Sequence, residues 1–439
     1  MNTLQAKLMP RPAPRRAIVF NAVDAAAMAL AGVCLLNLND VVFMMFDVQQ
    51  SVSLVMLFCS VLLIVKHGRL AVSRSFGLIV ATYLTYVALG SMFGDTLNEA
   101  FSGVSSEFKY QLAYLPSILV IWGLTGYVVS RAGRPVLAYF HAFARNSLIV
   151  AAASVWATPF LVTLYVNVPP DAGVRLGGIF GNANEAAHVS LLAYVMCLAY
   201  PFALVPLQYA ALVITGGAVV LTFSKAGMGV LVVITAAVVA RRLLGAALLV
   251  APFIAALLLL FLQDSGAALD ALIEQPYFEM SDQQKSRLRQ VQQMLVGDIN
   301  DDVSTGRTLI WAITVERAMG TFPVGGGLGS FHNIVGGIFE NGVWQGAHNS
   351  FLMLWGEAGI VPILLLLASL ISMATAIRRL PAGGNGFYLL LLLGVLVADM
   401  MSSHNSLSRR YHSVALALVL GVLASDEMRR RHERRLSRH

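Results

Sequence analysis

The chain has 439 residues, of which 57% are hydrophobic and only 12% are charged. Soluble domains carry about twice that share of charge, so the composition excludes an ordinary cytosolic enzyme, a disordered chain and a disulfide-rich secreted protein. The formal net charge of +7 would suit nucleic acid, but the cations stand in short clusters between apolar runs. That arrangement is typical of a polytopic membrane protein and predicts no nucleic-acid partner.

The hydropathy pattern predicts an all-α polytopic membrane protein, because a helix needs about 20 apolar residues to cross the bilayer. Twelve apolar runs meet or approach that length, nine before a long polar segment and three after it. The first run follows a basic tail and resembles a signal peptide, but the eleven later runs favour an uncleaved helix. The predicted spans are residues 17–36, 51–65, 76–93, 112–130, 146–166, 186–203, 207–223, 227–240, 243–262, 349–376, 385–402 and 412–424.

The distribution of basic residues predicts the orientation of these helices. With a cytoplasmic N-terminus, 20 of the 30 Lys and Arg residues lie on the cytoplasmic side, and the cytoplasmic connections between spans carry no Asp or Glu. One such connection is predicted at 131–145, with Arg131, Arg134 and Arg145. Both termini are therefore expected in the cytoplasm. The predicted parts are helices 1–9 over 1–262, a large periplasmic loop over 263–347, helices 10–12 over 348–424, and a basic cytoplasmic tail over 425–439.

The outer segment at 263–347 is the one large extramembrane piece of this topology. Residues 281–297 and 305–319 have helical periodicity, and a glycine-rich stretch follows at 325–329. That stretch has no preceding strand and no closing Gly-Lys-Ser or Gly-Lys-Thr, so it does not match a phosphate-binding loop. We interpret it as a flexible re-entry loop into the tenth span.

Ten basic residues fall on the outer side, against the general bias. Long outer loops ignore that bias, but Arg175 and Lys225 lie in short loops, and Arg307 lies at a predicted helix start. Cations held beside turn-forming residues suit an anionic ligand at the membrane surface, such as a diphosphate. The alternative for any single cation is snorkelling to lipid headgroups, which is the interpretation we adopt for Arg409 and Arg410.

His348 opens the tenth predicted span, where a side chain is fixed in position and still accessible from water. Imidazole titrates near neutral pH and suits a general base, although a loop histidine is usually a solvated residue without a role. The outer face carries no regular spacing of Asp or His ligands, which predicts chemistry without a metal or another cofactor. Three acids inside spans, Asp24, Glu357 and Asp399, lie at unequal depths. They are expected to have hydrogen-bonding partners rather than to form a transport site.

Several short motifs, in their order and topology, resemble the signature of O-antigen ligases. They are the segment from Gly181 to Glu185, the Ser224-Lys225-Ala226-Gly227 turn, Gly306-Arg307 leading to Trp311, the glycine-rich stretch ending in Ser330-Phe331, and His348-Asn349 with Gly359 eleven residues after the histidine. The layout of twelve spans with one large outer loop before the last three is also similar. The resemblance covers most of the chain from about 170 to 405. Lys225 departs from the pattern, because related proteins commonly have arginine there, and lysine lacks the bidentate fork.

This resemblance implies a GT-C-like glycosyltransferase bundle in the bacterial inner membrane, surrounded by membrane lipids, with its active site facing the periplasm. It would transfer O-antigen glycan from undecaprenyl diphosphate to the lipid A–core oligosaccharide, without a metal and with inversion at the anomeric carbon. The implied roles are His348 as the base, and Arg307 and Arg175 as the cations that stabilise the departing diphosphate. The residues expected to bind substrate are Lys225, Asn349, Asn184, Arg287 and Arg289. Asn349 is expected to orient the imidazole or a sugar, and Arg287 and Arg289 to contact phosphates of the core.

Other functions remain open on the sequence alone. An O-antigen polymerase or a protein O-oligosaccharyltransferase would use the same lipid-linked donor with another acceptor, and no residue indicates the acceptor directly. A secondary transporter or flippase would need related halves and broken helices that meet at the midplane, and the sequence indicates neither. A structural scaffold would leave the outer cations without a purpose.

Overall fold

The computed structural model describes residues 20–48, 52–92, 107–168, 175–243, 307–331, 346–381, 386–403 and 405–437, with short helical pieces between 284 and 293. For 107–113, 242–243 and 307–309 it describes the backbone alone. The N-terminal tail, nearly all of the span predicted at 243–262, Arg287 and most of the outer segment lie outside the described residues. All regular secondary structure in the described ranges is helical, as predicted.

The helices follow the apolar runs of the sequence, mostly within a few residues of the predicted spans. This agreement is expected, because an apolar run in a membrane must pair its own backbone groups, and a helix does so locally. The helices are α1 (Ala22–Leu35), α2 (Leu38–Phe46), α3 (Ser53–His67), α4 (Arg74–Met92), α5 (Glu107–Ser130), α6 (Pro135–Trp156), α7 (Thr158–Leu161), α8 (Ala183–Ala199), α9 (Val205–Leu221), α10 (Lys225–Leu243), α11 (Arg307–Gly320), α12 (Ser350–Ala358), α13 (Ile360–Arg378), α14 (Gly386–Ser402) and α15 (Arg410–Leu436).

Several of these helices are long and apolar enough to cross a membrane. Within the described residues there are five, and a sixth if α1 and α2, which meet at a bend of 58°, form one span. Shorter apolar helices, among them α8, α9 and α14, pack against these helices and against one another. The five are Ser53–Leu70, Arg74–Met92, Pro135–Trp156, Ile360–Arg378 and Arg410–Leu436. The count of twelve spans and the division of the chain at 263–347 stay predictions.

The turn between α5 and α6 is shorter than predicted. Pro135 begins α6, because its fixed φ and missing N–H fit the first turn of a helix, where N–H groups have no intrahelical partner. The connection therefore ends at Arg134. The predicted connection over 131–145 and the predicted span over 146–166 are both wrong, since α6 continues from Pro135 to Trp156.

Arg145 consequently lies inside α6 and not in a cytoplasmic loop. The residue is only 7% exposed. Its guanidinium donates to the Tyr200 carbonyl at the end of α8 at 2.6 Å, and lies 3.5 Å from the centroid of the Phe202 ring. A helix carboxyl end carries partial negative charge, and it provides a partner that allows this cation to be buried.

The tenth predicted span, 349–376, is two helices and not one. Gly359 separates α12 from α13 and has a φ of 78°, in the left-handed region that favours glycine. A Cβ atom at this position would overlap the Pro323 carbonyl oxygen. Glycine therefore permits both the break and the close approach of the chain that precedes α12.

All three acids inside the apolar helices have hydrogen-bonding partners, as predicted. Asp24 accepts from Arg131 Nε at 2.8 Å. Glu357 accepts from the Tyr86 hydroxyl, and Asp399 lies in a larger polar network at the other end of the bundle from Asp24. These contacts explain the three buried carboxylates as parts of the bundle.

Contacts between helix termini define one end of the bundle, called here the α12 end. Ser350, the first residue of α12, donates from its hydroxyl to the carbonyl of Ser403, directly after α14, at 2.7 Å. Arg409, directly before α15, forms an ion pair of 2.7 Å with Glu185 in the first turn of α8. The starts of α8, α12 and α15 and the end of α14 therefore meet at this end.

Candidate active site

Arg175 is buried in the segment that precedes α8, eight residues before Ala183, and two acceptors hold its guanidinium. Nη2 donates to Asn184 Oδ1 at 2.7 Å, and Nε donates to the Thr222 carbonyl at 3.3 Å. Asn184 Oδ1 also accepts from the Ser224 hydroxyl at 3.0 Å. Because the planar guanidinium is held at two points, the fold sets its direction before any ligand binds. Asn184, predicted to bind substrate, positions Arg175 in this structure.

The turn between α9 and α10 is built by short side chains. Thr222 Oγ1 accepts from the Ser224 N–H at 3.2 Å, and Ser224 Oγ accepts from the Gly227 N–H at 3.3 Å. A Cβ atom at Gly227 would lie 2.8 Å from the Ala187 Cβ, so glycine lets α10 pack closely on α8. The Ser-Lys-Ala-Gly motif thus fixes Lys225, the first residue of α10, near the start of α8.

Lys225 connects the membrane helices to the outer segment. Its Nζ donates to Gln290 Oε1 at 3.0 Å. Gln290 lies within the predicted helix 281–297, and the described pieces of that range are helical. The neighbouring Arg289 is exposed. Two cations predicted to bind substrate therefore lie in contacting parts of the chain, while their roles stay predictions.

His348 lies two residues before α12 with a φ of 46°, which is uncommon for a residue other than glycine. Asn349 caps α12, because its Oδ1 accepts from the N–H groups of Phe351 and Leu352 at 2.9 and 3.2 Å. An N-cap fixes the chain that enters a helix, so it also fixes the backbone of His348. The His348 side chain is half-buried and partly accessible. Capping is the role that the structure shows for Asn349, and its predicted contact with the imidazole or a sugar stays a prediction.

The start of α11 lies near the chain that leads into His348. Trp311 Nε1 donates to the Ala347 carbonyl at 3.0 Å. Arg307 is the first residue of α11, four residues before Trp311, and residues four apart share one face of a helix. The Arg307 backbone therefore begins one turn away from a residue that contacts the neighbour of His348. The Arg307 side chain lies outside the described residues.

The glycine-rich stretch at 325–329 is packed against α12. Two of its N–H groups donate to the carbonyls of Gly356 and Glu357 at 2.6 and 2.9 Å. A Cβ atom at Gly325 would lie 2.6 Å from the Gly359 nitrogen. The interpretation as a flexible loop is therefore wrong here, because the missing side chains let two backbone segments touch.

Arg409 belongs to a buried polar network that the sequence did not predict. Its guanidinium lies 2.7 Å from Glu185 and 3.6 Å from Asp399. The snorkelling interpretation of Arg409 is therefore wrong, because the side chain is only 11% exposed and faces two carboxylates. Burial disfavours the charge, but Glu185, Tyr411 and Asp399 together outweigh that cost and raise the pKa of the Arg409 guanidinium above its ordinary value.

Asp399 is the centre of this network. Its carboxylate lies 3.1 Å from His412 Nδ1, 3.3 Å from the Tyr411 hydroxyl and 3.8 Å from His188 Nε2. His188 Nε2 also lies 2.7 Å from the Ser402 hydroxyl. The arrangement is not a Ser-His-Asp triad, because there the serine and the acid contact opposite ring nitrogens, whereas here both approach Nε2.

The structure places five of the eight predicted site residues in two groups at the α12 end. One group holds Arg175, Asn184 and Lys225 around the α9–α10 turn. The other holds His348 and Asn349 at the start of α12. Among the described residues, no group of three or more His, Cys, Asp and Glu side chains could hold a metal ion. The arrangement can bind an anion and accept a proton at one end of a helical bundle.

Apolar helices of membrane length, with fixed cations and a histidine at one end, define the protein as a helical membrane protein with a candidate anion-binding active site. Residues 210–367 match the sequence model of the family described as O-antigen ligase. This match confirms the resemblance noted in the sequence, and it supports an enzyme of the ligase and polymerase superfamily. The matched segment includes Lys225 and His348, whereas Arg175 precedes it and Arg409 follows it. No curated protein matches the chain.

Proposed function

We propose that the protein is an O-antigen ligase that transfers O-antigen glycan from undecaprenyl diphosphate to the lipid A–core oligosaccharide. The observation that carries this proposal is the fixed guanidinium of Arg175 at the same end of the bundle as the accessible imidazole of His348. The ligase-family match at 210–367 includes the histidine and the α9–α10 turn. A preset cation and a base together suit the departure of a diphosphate.

The proposed reaction is a single displacement at the anomeric carbon. A hydroxyl oxygen of the acceptor forms the new bond to that carbon, while the bond from carbon to the diphosphate oxygen breaks, so the configuration inverts. His348 accepts the hydroxyl proton. Arg175 and Arg307, with Lys225, meet the negative charge that develops on the diphosphate. Donors that folding has already positioned need little reorganisation in the transition state, which is where such groups are most effective.

The proposed orientation places the α12 end in the periplasm. Basic residues gather at the opposite end, where Arg131 pairs with Asp24 and Arg430 donates to the Arg379 carbonyl. Cytoplasmic segments of membrane proteins are rich in Lys and Arg. An inner-membrane protein with its termini in the cytoplasm would expose the site to lipid-linked glycans on the periplasmic face.

The acceptor is the part of the proposal that needs a direct experiment. An O-antigen polymerase or a protein O-oligosaccharyltransferase would use the same donor, and a cation site with a base would serve each of them. We would examine the lipopolysaccharide of a deletion strain. Loss of the long-chain ladder with the core intact, and accumulation of lipid-linked glycan, indicates a ligase. A core that carries one repeat unit indicates a polymerase.

The role of His348 is tested in the same strain. His348→Ala should fail to restore the ladder, because it removes the group proposed to accept the proton of the acceptor hydroxyl. His432→Ala is the control, since His432 is exposed on the C-terminal part of α15. A normal ladder with His348→Ala, at normal protein level in the membrane, would remove the imidazole from the mechanism.

A further inference from the structure

We propose that a buried joint between α8, α14 and α15 positions the two groups of site residues relative to each other. This inference rests on the proposed function and deepens it, because the joint acts through the substrate-binding residues and the base. The residues that form the joint are Glu185, His188, Ser402 and Arg409. The proposed reaction uses none of them directly, and we treat them as positioning residues.

On one side, the joint fastens the first turn of α8. Glu185 follows Asn184, whose side chain holds Arg175. The ion pair of 2.7 Å between Glu185 and Arg409 ties this turn to the start of α15. His188 lies three residues after Glu185, on the same side of the helix. The contacts of Glu185 and His188, which are neighbours on one face of α8, therefore fix the position of the α8 start along the helix axis and its rotation about that axis.

On the other side, the joint reaches the start of α12. His188 Nε2 lies 2.7 Å from the hydroxyl of Ser402, the last residue of α14. The next carbonyl, that of Ser403, accepts from the Ser350 hydroxyl at 2.7 Å. Ser350 is two residues after His348. A short path of hydrogen bonds thus connects the helix that holds Arg175 to the helix that carries the base.

The charges in the joint indicate a role beyond holding the bundle together. Removing charges from water is costly, so buried ion pairs add little net stability, and their best-attested use is to fix how elements align. Here the Glu185 and Arg409 side chains are 19% and 11% exposed. They join helix ends at the level of the candidate site. Small shifts at such a level matter, since a misplacement of about 1 Å can slow a reaction about 100-fold.

The experiment compares Ser402→Ala with Ser402→Thr and Ser75→Ala in full-length protein in membranes. Ser402→Ala removes the hydroxyl that lies 2.7 Å from His188 Nε2, and Ser402→Thr keeps a hydroxyl. Ser75 forms a hydrogen bond of 2.9 Å with Ser372 between α4 and α13. Ser75→Ala is therefore the matched control, because it removes a serine hydrogen bond between two helices outside the joint. The assay measures binding of lipid-linked glycan and transfer to the lipid A–core acceptor, with transfer expressed per bound donor.

We expect Ser402→Ala to lower transfer per bound donor about tenfold, with donor affinity within about twofold of wild type. Ser402→Thr should recover most of the rate, and Ser75→Ala should change neither quantity. If Ser402→Ala does not accumulate in the membrane, Glu185→Gln replaces it, because it keeps the side-chain shape and removes the charge that attracts Arg409. That variant should lower transfer per bound donor by about 10- to 100-fold.

Three results would overturn the joint while leaving the proposed function intact. One is an unchanged transfer rate per bound donor in the first variant that accumulates. The second is a lower number of donor-binding sites with an unchanged transfer rate per bound donor, which indicates that the joint only maintains the amount of folded protein. The third is equal loss in Ser402→Thr, since the hydroxyl would not be responsible. If wild-type protein binds the donor and transfers nothing to the acceptor, the proposed function fails first and the joint falls with it.

Discussion

Replacing Arg175 with lysine separates the direction of this cation from its charge. Lysine keeps the positive charge but offers one ammonium group on a flexible stem in place of a planar fork. It can replace the bond of 2.7 Å to Asn184 or the bond of 3.3 Å to the Thr222 carbonyl, but not both in one plane. The Arg175→Lys variant therefore tests whether the preset geometry of the guanidinium matters.

The expected size of the effect follows from the lost contact. A hydrogen bond that involves a charged group contributes about 1.5–3 kcal/mol, and each 1.4 kcal/mol or so in a barrier changes a rate about tenfold. We therefore expect Arg175→Lys to lower transfer by about 10- to 100-fold. Most of the loss should fall in kcat, because the remaining charge still attracts the donor diphosphate, while the transition state loses an oriented partner.

Arg145→Lys is the matched control for this variant. Arg145 is also buried and also donates to a backbone carbonyl and an asparagine oxygen, those of Tyr200 and Asn146. It lies at the opposite end of the bundle from the candidate site. The assay supplies lipid-linked donor and acceptor to membranes and expresses transfer per folded protein. A rate for Arg175→Lys within about twofold of the Arg145→Lys rate would refute the reasoning.

Three further variants test the surroundings of the site. Asn349→Ala should destabilise the protein by about 1 kcal/mol through loss of the α12 cap, seen as a lower unfolding temperature in detergent, whereas Asn349→Asp keeps an acceptor and should restore it. Gly325→Ala should lower the amount of folded protein, because its Cβ would lie 2.6 Å from α12 backbone atoms, whereas Gly320→Ala has open space and should be tolerated. Asp24→Asn weakens the buried pair with Arg131 at the opposite end. It should lower the unfolding temperature, with a loss of stability of about 3–5 kcal/mol, without changing transfer per folded protein.

Specific outcomes would contradict these three expectations. Equal unfolding temperatures for Asn349→Ala and wild type would mean that the cap is not needed to hold α12. Normal accumulation of Gly325→Ala would contradict the close packing of the glycine-rich stretch. A large loss of transfer per folded Asp24→Asn protein would show that function depends on both ends of the bundle.

Hydropathy predicted most of the helices, but it missed α2, the continuation of α15 to Leu436, the start of α6 and the break after α12. The apolar runs determine the helices because desolvation of the backbone is a local effect. Pro135 and Gly359 shift a start and introduce a break, and both are local signals that an average over about 20 residues does not resolve. The Arg145 position was missed for a different reason, since a cation buried inside an apolar helix depends on a partner from another helix, here the Tyr200 carbonyl.

The motifs predicted which residues matter, but not how each one contributes. Asn184 and Asn349 were predicted to bind substrate, whereas the structure uses their side-chain oxygens to hold Arg175 and to cap α12. Short motifs record residue types at fixed spacing, and those types suit either a ligand or the protein itself. The contacts that distinguish the two uses lie between helices that are distant in the sequence.

The sequence by itself determined that this is a helical membrane protein and that it resembles the O-antigen ligases, because both follow from local composition and short motifs. Only the tertiary structure decided that Arg409 is a buried partner of Glu185 and Asp399 and not a headgroup anchor. It also decided that the glycine-rich stretch is packed against α12. The physical reason is that the burial and pairing of a charge depend on which helix ends pack together. Neither hydropathy nor residue spacing specifies that packing.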